Sequence, residues 1–103
     1  MFEKIDFSPG VISYNDFNID PNVPFDEEND SLKEDMFQVE DPYNYTIDMG
    51  WYSGVKKFIL FIIKDCNWEE PIFKGMYTNL KDLETGLKES VQKVRELIAL
   101  EQL

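Results

Sequence analysis

The chain has no histidine, one cysteine (Cys66), and only 10 Lys or Arg among 103 residues, against 21 Asp or Glu. Without histidine it lacks the usual general base near neutral pH and the commonest metal ligand. One thiol cannot close an intramolecular disulfide or build a Cys-rich zinc site, which excludes a disulfide-stapled secreted scaffold. The shortage of cations leaves a formal net charge of −11 and a pI near 4.2, so nucleic acid and anionic membrane surfaces would be repelled. The longest apolar run, Phe58-Ile59-Leu60-Phe61-Ile62-Ile63, falls far short of the ~20 residues that cross a bilayer. Met1-Phe2-Glu3-Lys4-Ile5-Asp6 carries mixed charge and has no basic region leading into an apolar stretch, so it does not read as a signal peptide. Together with the lone thiol, this predicts a cytoplasmic address.

What the chain does have is apolar material: 43% hydrophobic and 15% aromatic residues. That is enough for the core of one domain of ordinary size and too much for a disordered polymer. The first thirty residues hold Pro9-Gly10, Pro21, Pro24 and the run Asp26-Glu27-Glu28-Asn29-Asp30, a loop-like composition. Phe2–Phe7 and Ile12–Tyr14 are the stretches there that could add a short strand. Ser31 with Glu34 reads as a helix capping box, but Met36 and Gln38 alternate with Phe37 and Val39, and a turn at Asp41-Pro42-Tyr43-Asn44 follows. Asp35–Glu40 is therefore read as a strand with a helical turn before it. Tyr43, Tyr45, Ile47, Met49 and Trp51 then alternate with Asn44, Thr46, Asp48, Gly50 and Tyr52, the period of a strand with one buried face. Lys57 to Lys64 is apolar on both faces, as in a central strand. Pro71 to Tyr77 supplies a fourth strand with Gly75 as a candidate bulge.

From Asn79 the period changes to 3.6. Leu80, Leu83, Leu87, Val91, Val94 and Ile98 form one stripe, Asn79 is a suitable N-cap, and Asp82 complements the helix dipole. Glu84–Lys88 and Glu89–Lys93 are favourable i,i+4 pairs on the other faces. A helix over 80–100 would be ~31 Å long, enough to lie across a small sheet. The expected fold is α+β: an antiparallel four-stranded meander (32–78), one long C-terminal helix packed on it (79–101), and an irregular acidic segment (1–31), all in a single domain spanning 1–103.

Three sharp candidates for chemistry fail on their own terms. Asp16 to Glu27 places oxygen donors at positions 1, 3, 5, 7 and 12 of an EF-hand loop, but position 6, where glycine is required, is Pro21, whose ring fixes φ near −65°. Paired carboxylates are plentiful, yet no nucleophile elbow, phosphate loop or glycine-rich fingerprint accompanies them. Cys66 lies between Asp65 and Trp68-Glu69-Glu70, where negative charge raises a thiol pKa and no histidine can activate it. The reading is of a chain that is not an enzyme, with no catalytic, metal or cofactor site. Trp51, Tyr52 and Trp68 read as core-capping aromatics at strand ends, with Tyr52 exposed by its parity opposite Trp51.

Charge placement is more informative. Residues 1–50 carry 13 acids and 2 bases, whereas residues 51–103 carry 8 of each. The whole excess lies in the first half. There Asp16, Asp20, Asp26, Glu27, Glu28, Asp30, Glu34 and Asp35 are interleaved with Phe17 and Phe25. Carboxylates steer association with a basic protein, and aromatics supply desolvated anchors. These ten residues and Tyr52 are the candidate partner-binding set, and the same pattern can imitate a nucleic acid in a nuclease groove.

In layout the chain resembles the small acidic immunity proteins of bacterial polymorphic toxins, in particular those of contact-dependent growth inhibition systems. The likeness is carried by Leu32-Lys33-Glu34-Asp35-Met36, Ile47-Asp48-Met49-Gly50-Trp51-Tyr52, Asn67-Trp68-Glu69-Glu70-Pro71 and the passage Met76-Tyr77-Thr78-Asn79-Leu80 into the closing helix. The resemblance implies a cytoplasmic protein that forms a 1:1 heterodimer with a cognate toxin nuclease, such as an RNase acting on tRNA, and occludes its basic active-site cleft. It assigns no site residue, so the candidates rest on the charge argument. The alternative expectation is a phage-encoded acidic mimic of nucleic acid that inhibits a host defence nuclease.

Overall fold

A computed structural model of the chain describes residues 2, 4–19, 22, 24, 26, 28 and 32–103. Alternating stretches pair in chain order: β1 (Val11–Asn15), β2 (Phe37–Glu40), β3 (Tyr45–Tyr52), β4 (Lys57–Lys64) and β5 (Phe73–Tyr77) form one antiparallel sheet of order β1-β2-β3-β4-β5. The helix α1 (Leu80–Glu101) closes the chain. The α+β class holds, but the sheet has five strands rather than four. The added strand is β1, inside the segment expected to be irregular; it contains Ile12–Tyr14, one of the two stretches there that could add a short strand, while the described residues of the other, Phe2–Phe7, form none.

Register separates the two faces. Phe37, Val39, Tyr45, Ile47, Met49, Trp51, Phe58, Leu60 and Ile62 fall on one side of paired strands and join Leu83, Leu87, Val91, Val94 and Ile98 of α1 in the main core. The helical stripe is the expected one, widened by the buried small residues Gly86 and Ser90. Asn79 caps α1 by accepting from the Asp82 N–H at 2.8 Å, and Glu84 pairs with Lys88 at 3.4 Å. Gly75 is not a bulge: it pairs regularly with Leu60. A Cβ at either Gly75 or Gly86 would strike the Tyr77 ring, so the two glycines make room for that ring between sheet and helix. The irregularity lies in β1 instead, between Ile12 and Tyr14.

The helix does not reach all of the core face. Phe2 and Phe7 cover Phe37 there, at ring separations of 5.2 and 5.6 Å. Arg95 on α1 ties this N-terminal segment down, donating to the carbonyls of Asp6 (2.6 Å) and Ser8 (2.7 Å). At the C-terminal end of α1, Glu101 accepts from the Tyr45 hydroxyl at 2.8 Å and pairs with Lys64 at 3.1 Å. Burial pushes the Tyr45 hydroxyl pKa up to about 12, with Glu101 contributing. Among the described residues, the opposite face of the sheet carries no helix. No helix among the described residues is long and apolar enough to cross a membrane.

Candidate functional site

The charge division of the sequence becomes a division of the sheet. Residues 1–50, which carry the entire acidic excess, build β1, β2 and nearly all of β3. The neutral half builds β4, β5 and α1. The described acids of this half therefore lie on the β1–β3 side of the sheet and in the connections beside it.

The described candidate residues do not form one patch. Asp16 is largely engaged within the chain: its carboxylate pairs with Lys33, and accepts from Asn18 at 3.0 Å and from the Tyr14 hydroxyl at 3.4 Å. Phe17 is half-buried on the core, with its ring 4.7 Å from Phe2 and 6.5 Å from Phe58. Asp26 and Glu28 are exposed, and the Asp26 carboxylate accepts from the Glu28 N–H at 2.9 Å, a local turn that holds both near the surface. Asp20, Phe25, Glu27 and Asp30 lie outside the described residues, as do Pro21 and Val23 of the EF-hand-like stretch. Among the described residues no three of Asp, Glu, Cys and His gather as a metal ion would need.

Glu34, Asp35 and Tyr52 share the open face of the sheet, and a specific backbone arrangement puts them there. The Met36 N–H donates to the Met49 carbonyl (3.2 Å) and the Trp51 N–H to the Lys33 carbonyl (2.7 Å). Between these two bonds the chain bows out through Glu34 and Asp35, over Gly50. A Cβ at Gly50 would lie on the Glu34 backbone, so the crossing requires glycine.

Beside this crossing is a groove lined by Asp35, Gln38, Asp48, Tyr52, Phe61 and Trp68. Register explains the assembly: Gln38 faces Asp48 across β2–β3, and Asp48 faces Phe61 across β3–β4. Tyr52 meets Phe61 edge-on, with ring centroids 6.2 Å apart. Asp48 is only 4% exposed and accepts from the Gln38 amide at 2.9 Å. Burial holds its carboxyl above the usual carboxylate range and the neighbouring Asp35 adds to this, while the Gln38 bond opposes it. The Tyr52 hydroxyl is also raised, first by burial and then by Asp48, Glu34 and Asp35. The lining thus combines two carboxylates, an amide and three aromatic rings, with no cation. Lys57 and Lys74 lie on the same face, beside Tyr52 and Phe61 across the ladders, but do not line the groove.

Alternation in β3 puts Asp48 opposite the helix-side core, on the face that a strand with one buried side turns to solvent. It is buried instead, because Ile59 and Ile63 of β4 make that face apolar as well. The expected aromatic cluster is divided by the sheet. Trp51 is buried against Phe58 on the helix side at 5.0 Å, whereas Trp68 is 49% exposed at the groove. Gln38, Asp48, Phe61 and Trp68 were not among the partner-binding candidates. Compared with protein families, curated proteins and solved structures, the chain matches none.

Proposed function

We propose that this chain is an immunity-type inhibitor: a cytoplasmic, non-enzymatic binding protein that forms a 1:1 complex with a basic nuclease toxin and occludes its substrate cleft. The observation that carries this reading is the confinement of the acidic excess to residues 1–50, the half of the chain that supplies β1, β2 and most of β3. Acidity serving solubility alone would spread over every exposed surface, including α1, where the two signs alternate. A concentrated anionic edge raises the encounter rate with a cationic cleft and repels the nucleic acid that competes for it. The exposed carboxylates Asp26, Glu28, Glu34 and Asp35 supply steering, and the aromatic-lined groove supplies the desolvated contact. Binding requires no cofactor, metal or nucleic acid.

The test is protection of cells that express the toxin domain encoded immediately upstream of this chain. Reversing Asp26, Glu27, Glu28 and Asp30 together to lysine is expected to leave the circular dichroism spectrum and melting transition intact and to abolish protection. Full protection by the reversed variant would overturn the assignment of the interface to the acidic segment.

A further inference from the structure

The open face of the sheet holds a recess in which anionic and aromatic groups converge, and its composition specifies what fits. Asp35 and Asp48 supply negative charge, Trp68 and Tyr52 supply ring surface, and the Gln38 amide, already bonded to Asp48 at 2.9 Å, supplies a further acceptor through its carbonyl oxygen. The sheet strands hold Gln38, Asp48, Tyr52 and Phe61, and the crossing over Gly50 fixes the backbone beside Asp35. The floor of the recess is therefore built by regular structure, with Asp35 at the crossing before β2 and Trp68 in the β4–β5 turn at its rim. A lysine ammonium would satisfy the charge alone. A guanidinium is planar and can stack on an indole or phenol ring while directing its edge donors to carboxylate and amide oxygens.

We propose that the groove bounded by Asp35, Gln38, Asp48, Tyr52, Phe61 and Trp68 is a docking site for an arginine side chain of a basic protein partner, with the guanidinium stacked on Trp68 and its edge bonded to Asp35 and Asp48. The argument is charge complementarity: a recess lined by two carboxylates and no cation, on a face that the helix leaves open. This deepens the proposed function and rests on it, because it names the contact by which a cationic cleft would be gripped. The acidic segment contributes approach and the groove contributes residence, since buried charge contacts act mainly on dissociation.

The experiment is a titration of the isotope-labelled full chain, followed by amide and indole resonances, with a peptide of four Gly-Arg repeats and with its citrulline counterpart. The expected result is shifts centred on Gln38, Asp48, Tyr52, Phe61 and the Trp68 indole with the arginine peptide only. Trp68→Ala and Asp35→Asn should each weaken binding about fivefold or more. The exposure of both residues makes these variants safe for the fold, and the melting transition checks this. Asp26→Lys/Glu28→Lys should weaken binding less than either. Shifts confined to residues 16–19 and 26–28 with a silent Trp68 indole would overturn the groove while leaving the acidic-edge reading standing. An equal response to the citrulline peptide would overturn the guanidinium assignment, and no response to either peptide would overturn the site. Retained protection by the segment-reversed variant, with loss of protection in Trp68→Ala, would overturn the acidic-segment interface and support the groove.

Discussion

Gln38 donates to Asp48 at 2.9 Å across the β2–β3 ladder, and this bond holds the carboxyl group of a residue only 4% exposed in a recess with no cation among the described residues that line it. A buried carboxylate with a neutral partner is a destabilising arrangement in the free protein, since the hydrogen bond only partly offsets lost hydration. A cation arriving from a partner would complete it.

The first prediction concerns pH. Burial raises the Asp48 pKa in the folded state, so folded protein binds that proton more tightly than unfolded protein does. Stability contributed by this group is then present at low pH and lost as pH rises from the ordinary carboxylate value through the folded one. Asp48→Asn keeps an amide for Gln38 and removes the titration. The variant should be more stable than the parent at neutral pH, and the difference should vanish below about pH 3, where both forms are neutral. Urea midpoints measured across that range check this. A variant less stable than the parent at neutral pH would mean that the Gln38 bond outweighs the burial cost.

Gly50→Ala tests the backbone crossing. The added Cβ meets the Glu34 main chain rather than a flexible side chain, so relief requires the crossing to lift. Overpacking of this type costs about 1–3 kcal/mol, and the lift would also move Asp35 away from Asp48. The expected outcome is a lower denaturant midpoint together with loss of arginine-peptide binding. A variant with unchanged stability and binding would show that the crossing is not held at Gly50.

Much of the architecture is legible in the sequence because its signals are local. The strict alternation from Tyr45 to Tyr52 defines β3, and the 3.6-residue stripe from Leu80 to Ile98 defines α1 together with its Asn79 cap. The strand β1 is only faintly legible, as the Ile12–Tyr14 stretch that could add a short strand, and the reason is physical. All five of its residues are exposed, so no buried face imposes a pattern, and the irregularity between Ile12 and Tyr14 breaks the parity that would reveal one. Gly75 misleads because its role is to admit the Tyr77 ring, a contact that composition alone does not show. The acidic edge is visible as a difference between two halves of the chain. The groove is not, since its six residues span Asp35 to Trp68 and meet only through pairing of the strands that hold Gln38, Asp48, Tyr52 and Phe61 and through the connections that carry Asp35 and Trp68. Asp48 gave one usable sign: an acid within an alternating strand whose neighbour, Lys57–Lys64, is apolar on both faces.

The central claim is that this chain silences a basic nuclease by binding it. The most direct measurement is to purify the product of the gene immediately upstream, assay it for tRNA cleavage, and titrate that activity with the purified chain. The predicted result is activity falling linearly to zero at one equivalent, with inhibition weakening as salt is raised, because steering between opposite charges is screened. Cleavage that continues undiminished in a several-fold excess of the chain at low salt would contradict it.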